Sequence, residues 1–139
     1  DEAYDDCNAF NPYLFIAELP PHEMVVEVNK ICLPAKSPSD NGLKTLVLDL
    51  DETLVHCTVA PIPDPDLIFP VLFNGTVHQV YVRKRPYLDH FLESISKNFE
   101  VVLFTASQRV YADVLLDKLD PKRQFIKYRL FREACLVVQ

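Results

Sequence analysis

The sequence predicts an α/β domain: part of a doubly wound, Rossmann-like parallel sheet that carries a β-hairpin cap insert. Three observations lead there. Strand-length apolar runs, Lys44 to Leu50, Phe99 to Thr105 and Phe125 to Phe131, alternate with segments of helical period. The first two runs end in polar side chains, where open parallel sheets hold their ligands. Between them, Asn74-Gly75 separates two further strand-like runs and is the strongest short-range hairpin signal in the chain.

Residues 1–41 contain several prolines, including Pro20-Pro21, and are expected to form an irregular leader packing on the domain. The segment Pro34 to Gly42 has strong turn chemistry and closes that leader. Residues 42–139 then form the domain. Lys44 to Leu50 reads as a strand buried on both faces, because its apolar run is nearly continuous. Leu67 to Phe73 and Val77 to Arg83 form the hairpin, in an insert at about 60–85.

Pro86 suits a first helical turn, and Leu88, Phe91, Leu92 and Ile95 form a core-facing stripe. Gln108 to Leu119 is a second amphipathic helix, with Val110, Val114 and Leu115 inward and Asp120-Pro121 as its stop. Phe125 to Phe131 is a third parallel strand, and Cys135 to Val138 a short strand near it. The visible strands supply the first one with neighbours on one side only, which leaves an edge prone to association.

Composition bounds what this domain can do. The 139 residues are 49% hydrophobic and suit one modest core. The net charge is −6, and it is uneven: residues 1–66 hold 13 acidic and 3 basic side chains, the remainder 7 and 11. An acidic chain without a long basic run is not a direct nucleic-acid binder, whereas its basic half suits an anionic, phosphorylated substrate. Cys7, Cys32, Cys57 and Cys135 form no C-x-x-C pair and read as reduced thiols. No apolar run approaches the roughly 20 residues that span a bilayer, and the acidic N-terminus lacks the basic start of a targeting peptide.

The chemistry concentrates at Leu48-Asp49-Leu50-Asp51-Glu52-Thr53, where the first strand ends in two carboxylates two residues apart. Carboxylates held this close stay ionised only with a compensating cation or strong donors, and Mg²⁺ prefers such oxygen ligands. With a metal present, one carboxylate can attack a phosphoryl group while the other moves protons.

This segment resembles the first motif of the haloacid dehalogenase superfamily of phosphotransferases, and in particular its small phosphatases of the RNA polymerase II C-terminal domain. The resemblance extends through Phe69-Pro70-Val71, Tyr81-Val82-Arg83, Arg85-Pro86, Phe104-Thr105-Ala106-Ser107, Tyr111-Ala112-Asp113, Leu119-Asp120-Pro121-Lys122 and Arg129-Leu130-Phe131-Arg132-Glu133, in that family's order. Upstream, Asn11-Pro12-Tyr13 resembles its leader.

The resemblance implies a role for each matching residue. Asp49 is the nucleophile that forms an aspartyl-phosphate and ligates Mg²⁺. Asp51 is the general acid and then the base, with its backbone carbonyl on the metal, and Thr53 orients Asp51 or stabilises the turn. Thr105 holds the transferring phosphoryl. Ser107 either joins it or caps the next helix. Tyr111 lines the substrate site or packs its ring in the core, and Arg132 contacts the substrate phosphate or forms an ion pair with Glu133 or Asp120. Val59, Ile68 and Val71 match the family's apolar pocket, whereas a further pocket position is Gln108 here. His56 is not expected to bind the metal, since oxygen ligands suffice for Mg²⁺.

The family pattern continues with a phosphate-neutralising Lys and an acidic motif on a fourth strand, which do not occur within these 139 residues. The expectation is therefore a truncated protein serine/threonine phosphatase domain whose activity is impaired by itself. Its substrate would be a phosphoserine or phosphothreonine protein, with the RNA polymerase II C-terminal domain as the candidate. An intracellular location is expected, nuclear or cytoplasmic before mitochondrial. The alternative is a non-catalytic phosphoprotein- or presequence-binding module of the same fold, as in a mitochondrial translocase receptor that resembles a member without the catalytic carboxylates.

Overall fold

A computed structural model describes residues 10–25, 32–40 and 42–136. The chain divides into two compact units, residues 1–30 with 136–139, and residues 31–135. In the first, the expected irregular leader contains two short helices, α1 (Pro12–Ala17) and α2 (His22–Val25). Local chemistry explains α1. Asn11 caps it, its side chain accepting from the backbone N–H groups of Tyr13 and Leu14 at 3.0 and 3.2 Å, and Pro12 occupies its first turn.

Residues 32–40 are tied into the second unit. Lys127 pairs with Asp40 and donates to Ser37 Oγ at 3.2 Å, and Lys36 Nζ lies 3.9 Å from the buried Glu100 carboxylate. The elements that follow are β1 (Lys44–Leu48), β2 (Val55–Thr58), β3 (Leu67–Phe73), β4 (Thr76–Lys84), α3 (Leu88–Ser96), β5 (Phe99–Phe104), α4 (Arg109–Leu119) and β6 (Tyr128–Leu130).

Strands β1, β5 and β6 form a parallel sheet in that order, with Lys44 opposite Phe99 and Leu48 opposite Leu103. The central strand is β5, and Val101, Val102 and Leu103 on it are buried. The expectation that the first strand is buried on both faces is corrected: β1 is an edge strand, and Val47 is 53% exposed. Its apolar run stands beside one neighbour only, as the strand count anticipates. The third strand is shorter than its apolar run. Arg132–Ala134 forms a 3-10 turn where a further strand was expected to begin nearby, and Val137 and Val138 lie outside the described residues.

The cap is an antiparallel sheet in the order β2, β4, β3. Asn74 and Gly75 have φ of 48° and 77°, the two positive values a type I′ turn requires. The hairpin is as expected, but β2 begins at Val55, two residues after Thr53, so the cap sheet starts earlier than residue 60.

Both helices follow the stripes that bury them, with adjustments. Leu88 and Leu92 of α3 are buried, while Pro86 precedes the helix rather than starting it. On α4 the buried residues are Ala112, Leu115, Leu116 and Leu119 at positions i, i+3, i+4 and i+7. Val110 and Val114, expected inward, are 43% and 40% exposed because that stripe lies beside them. Asp120 ends α4 fully buried, accepting from the backbone N–H groups of Gln124, Phe125 and Ile126 at 2.9 to 3.0 Å.

Candidate active site

The chain leaves β1 through a tight loop. The Leu50 carbonyl accepts from Leu54 N at 2.9 Å, and Glu52 takes a left-handed φ of 60°. Leu50 is fully buried between the two carboxylates and anchors them, Asp49 remaining exposed and Asp51 half-buried. Arg85 braces the loop from outside: its guanidinium donates to the Thr53 carbonyl at 2.8 Å and its backbone N–H to the Leu54 carbonyl at 2.9 Å.

Asp51 is held from the far end of β5. Ser107 Oγ donates to its Oδ2 and Tyr111 Oη to its Oδ1, each at 2.6 Å. Ser107 is therefore not a helix cap; the capping position of α4 is Gln108, and the Ser107 hydroxyl turns to the carboxylate instead. The Tyr111 ring stacks on Phe69 at 6.5 Å between centroids, so packing places the hydroxyl. Burial and the hydrogen bond donated to Asp51 raise the Tyr111 pKa. Cys57 beside it is pushed up to about 11, mainly by burial.

Of the two roles expected of Thr53, the contact with Asp51 is not made. Its hydroxyl donates to Asp49 Oδ2 at 3.3 Å, not to Asp51. Thr105 is buried at the end of β5, and its Oγ1 accepts from Ser107 N at 3.1 Å, which shapes the loop after the strand. Arg132 Nε donates to the Ala106 carbonyl at 2.7 Å, and its backbone N–H donates to the Ser107 carbonyl at 3.1 Å. The Glu133 carboxylate receives Arg109, and that of Asp120 is filled by backbone donors. Arg132 is thus fixed beside the loop that carries Ser107.

A cleft of about 490 Å³ opens here, lined by Asp51, Ser107, Tyr111 and Arg132 on its polar side and by valines and Phe73 of the cap. Asp49, Thr53 and Thr105 are not among its lining residues. Val59 and Val71 line it, whereas Ile68 does not and is 53% exposed. The reason is alternation: residues 68 and 71 are three apart on one strand and point to opposite faces.

Cys57, Phe73, His78, Val80 and Val110 also line the cleft, and sequence reasoning missed them there. A signal existed for some of them. The two-residue turn sets Val71 opposite His78 and Phe69 opposite Val80, so those side chains share Val71's face.

Among the described residues, no group of three or more His, Cys, Asp or Glu side chains is arranged to hold a metal ion. His56 Nδ1 lies 2.6 Å from Glu52 Oε1. Both Asp51 carboxylate oxygens accept hydroxyl hydrogens, whereas the exposed Asp49 carboxylate accepts one long bond from Thr53 and is the more open side-chain ligand of the pair. An all-oxygen set of one carboxylate, a backbone carbonyl, a substrate phosphate and waters still fits Mg²⁺.

Residues 44–139 match the family described as NLI interacting factor-like phosphatase. The chain belongs to that family. CTD small phosphatase-like protein 2 of Dictyostelium discoideum is 49% identical over 129 residues, which are 93% of this chain and 22% of that protein. CTD small phosphatase-like protein 3 of Caenorhabditis elegans is 47% identical, across 93% of this chain and 45% of that protein. The human CTD small phosphatase-like protein is 51% identical over 107 residues, 77% of this chain and 38% of its own length.

The chain spans less than half the length of each of these relatives. A structure of fission yeast RNA polymerase II CTD phosphatase Fcp1 bound to beryllium fluoride superposes with a TM-score of 0.60 at 26% identity, over 68% of this chain and 31% of that one. The α/β fold of the haloacid dehalogenase type is therefore shared.

Proposed function

We propose that this domain is a phosphoprotein phosphatase acting on phosphoserine or phosphothreonine monoesters through an aspartyl-phosphate at Asp49. The observation that carries the reading is the placement of Asp49 and Asp51 just beyond the carboxyl end of β1, with Asp51 clamped by Ser107 and Tyr111 at the mouth of a cleft. Names of relatives that contain "CTD small phosphatase" support the same substrate class.

Asp49 is exposed and free to attack phosphorus as the serine or threonine alkoxide leaves, and protonated Asp51 supplies the proton that alkoxide takes. Ser107 and Tyr111 donate to the carboxylate left behind. Those hydrogen bonds strengthen as Asp51 becomes ionised, which favours the proton transfer. Asp51 then takes a proton from water as that water attacks the aspartyl-phosphate and restores Asp49. Arg132, which lines the cleft, would hold phosphoryl oxygens, and Thr105 is assigned the same task by its family position alone. Mg²⁺, bound by Asp49 and the Asp51 backbone carbonyl, would neutralise the phosphate and bring it to the nucleophile.

The RNA polymerase II C-terminal domain is the protein substrate we propose, with the nucleus as the matching location. Recognition is of a phosphorylated protein and not of nucleic acid. Among the described residues no helix is long and apolar enough to cross a membrane. A purely binding role is the second reading, and the retention of both Asp49 and Asp51 favours the enzyme.

Hydrolysis of an aryl phosphate tests this. Turnover is expected to require Mg²⁺ and to stop with chelator. Asp51→Asn should slow alkyl phosphates more than aryl ones, whose leaving groups need little protonation. Phosphopeptide binding without any turnover would support the binding module instead.

A further inference from the structure

Three polar side chains in the cleft have no task in the chemistry above, and one of them, Thr58, already accepts from the Ala60 N–H at 3.0 Å. The part of the cap hairpin that lines the cleft is apolar at Val71, Phe73 and Val80, and polar at His78, which stands opposite Val71 in the same row. His78 is half-buried and lines the cleft. On the opposite wall, Gln108 occupies the position that caps α4, yet its side chain makes no capping hydrogen bond. It too is half-buried and lines the cleft. Among the described residues, neither the imidazole nor the amide has a hydrogen-bond partner.

A half-buried polar group is stable while water reaches it, and an occupant that expels the water without replacing its hydrogen bonds leaves it unpaired. An apolar occupant would pay that cost at His78 and at Gln108. A charged one would lose its hydration against Val59, Val71, Phe73, Val80 and Val110. The occupant that avoids both penalties has an apolar body and a neutral hydrogen-bonding end.

We propose that the cleft selects such a side chain, a phenol or a carboxamide, on a residue near the phosphorylated one, and that His78 and Gln108 are the residues that read its polar end. The proximity follows from the lining, since the same cleft contains Asp51, Ser107 and Arg132. The proposal rests on the phosphatase reading of that site and adds a specificity to it. Sites built to hydrogen-bond a substrate group reject the isostere that lacks it far more strongly than apolar pockets reject an added group.

The test uses phosphoserine peptides that differ only by Tyr or Phe, and in a second set by Gln or Met, scanned through the two positions on either side of the phosphoserine. At one position kcat/KM is expected to favour Tyr over Phe, and Gln over Met, by about three- to tenfold. Gln108→Leu and His78→Phe should each move that ratio toward one or invert it; Gln108→Leu removes no helix cap. Affinities of the same peptides with a non-hydrolysable phosphoserine analogue, measured by calorimetry, carry the same ratio. If turnover is absent but the affinity ratio holds, the phosphatase reading fails and the specificity stands. Ratios at or below one at every position, or a preference that survives both substitutions, would overturn the proposal.

Discussion

The two three-stranded sheets of the second unit obey different rules. The parallel sheet of β1, β5 and β6 ends its strands in the polar groups Asp49 and Thr105, and positions them through the backbone direction of neighbouring strands. The antiparallel cap of β2, β4 and β3 has an inner row facing the cleft and an outer row, with Ile68, Leu72 and Val77, that faces away from it. Chemistry placed at strand ends depends on local sequence, whereas recognition placed on a sheet face depends on register. A change at a strand end should therefore alter rate. A change on the cap away from Phe69, whose ring positions Tyr111, should mainly alter which substrate is accepted.

The largest effect expected is at Asp49. Asp49→Asn should lower aryl-phosphate turnover by about a thousandfold or more, because an amide cannot attack phosphorus. Asp49 is exposed and accepts one long hydrogen bond from Thr53, so circular dichroism and the thermal midpoint should stay near those of the native protein. A comparable loss of stability would mean that this residue is structural.

Packing separates the sheets next. Leu103→Ala empties a fully buried position on the central strand and should cost about 2–5 kcal/mol in denaturant unfolding. Leu72→Ala on the outer face of the cap should cost less than about 0.5 kcal/mol. Equal costs would show that the outer face is covered in solution.

Tyr111→Phe retains the stack on Phe69 but removes one donor to Asp51, and should lower kcat about tenfold with little change in KM. Ser107→Ala should act in the same direction. Both hydroxyls serve one carboxylate, so the double variant should lose less or more than the sum of the two. Strict additivity would indicate that they act independently of Asp51.

The smallest effect concerns Cys57, whose pKa rises from 9.0 to about 11 mainly through burial. The folded chain keeps this proton where the unfolded chain has lost it, so the contribution is complete below about pH 9 and is lost as pH rises toward 11. Cys57→Ala should flatten that alkaline decline slightly. The same protonation should keep Cys57 slower to alkylate near neutral pH than the exposed Cys32, as mass spectrometry of the labelled peptides would show.

Much of this was legible because the signals are local. The apolar run ending in Asp49 and Asp51 placed a carboxylate pair at the end of β1, Asn74-Gly75 placed the hairpin, and the family's ordered motifs include Ser107, Tyr111 and Arg132, which line one cleft with Asp51. Where sequence reasoning erred, the residue's neighbour lies elsewhere in the chain. Ile68 and Val71 both match the family's apolar pocket, yet the hairpin register sets them on opposite faces. Val110 and Val114 were read inward from hydrophobicity, while the stripe of Ala112, Leu115, Leu116 and Leu119 decides the face of α4.

By itself the sequence determined the alternation of strands and helices, the end of β1 at a pair of carboxylates, and the pairing of Val71 with His78, since propensity, patterning and turn geometry act over a few residues. Only the tertiary structure decided that β1 lies at an edge, that Thr53 turns to Asp49, and that Ser107 and Tyr111, 56 and 60 residues away, both close on Asp51. Those outcomes depend on how α4 settles against the cap, where the Tyr111 ring stacks on Phe69 and Lys118 lies 5.6 Å from the centre of the Phe69 ring. Side-chain packing between distant segments has no short-range sequence signature, because the energy that selects it exists only once the segments have met.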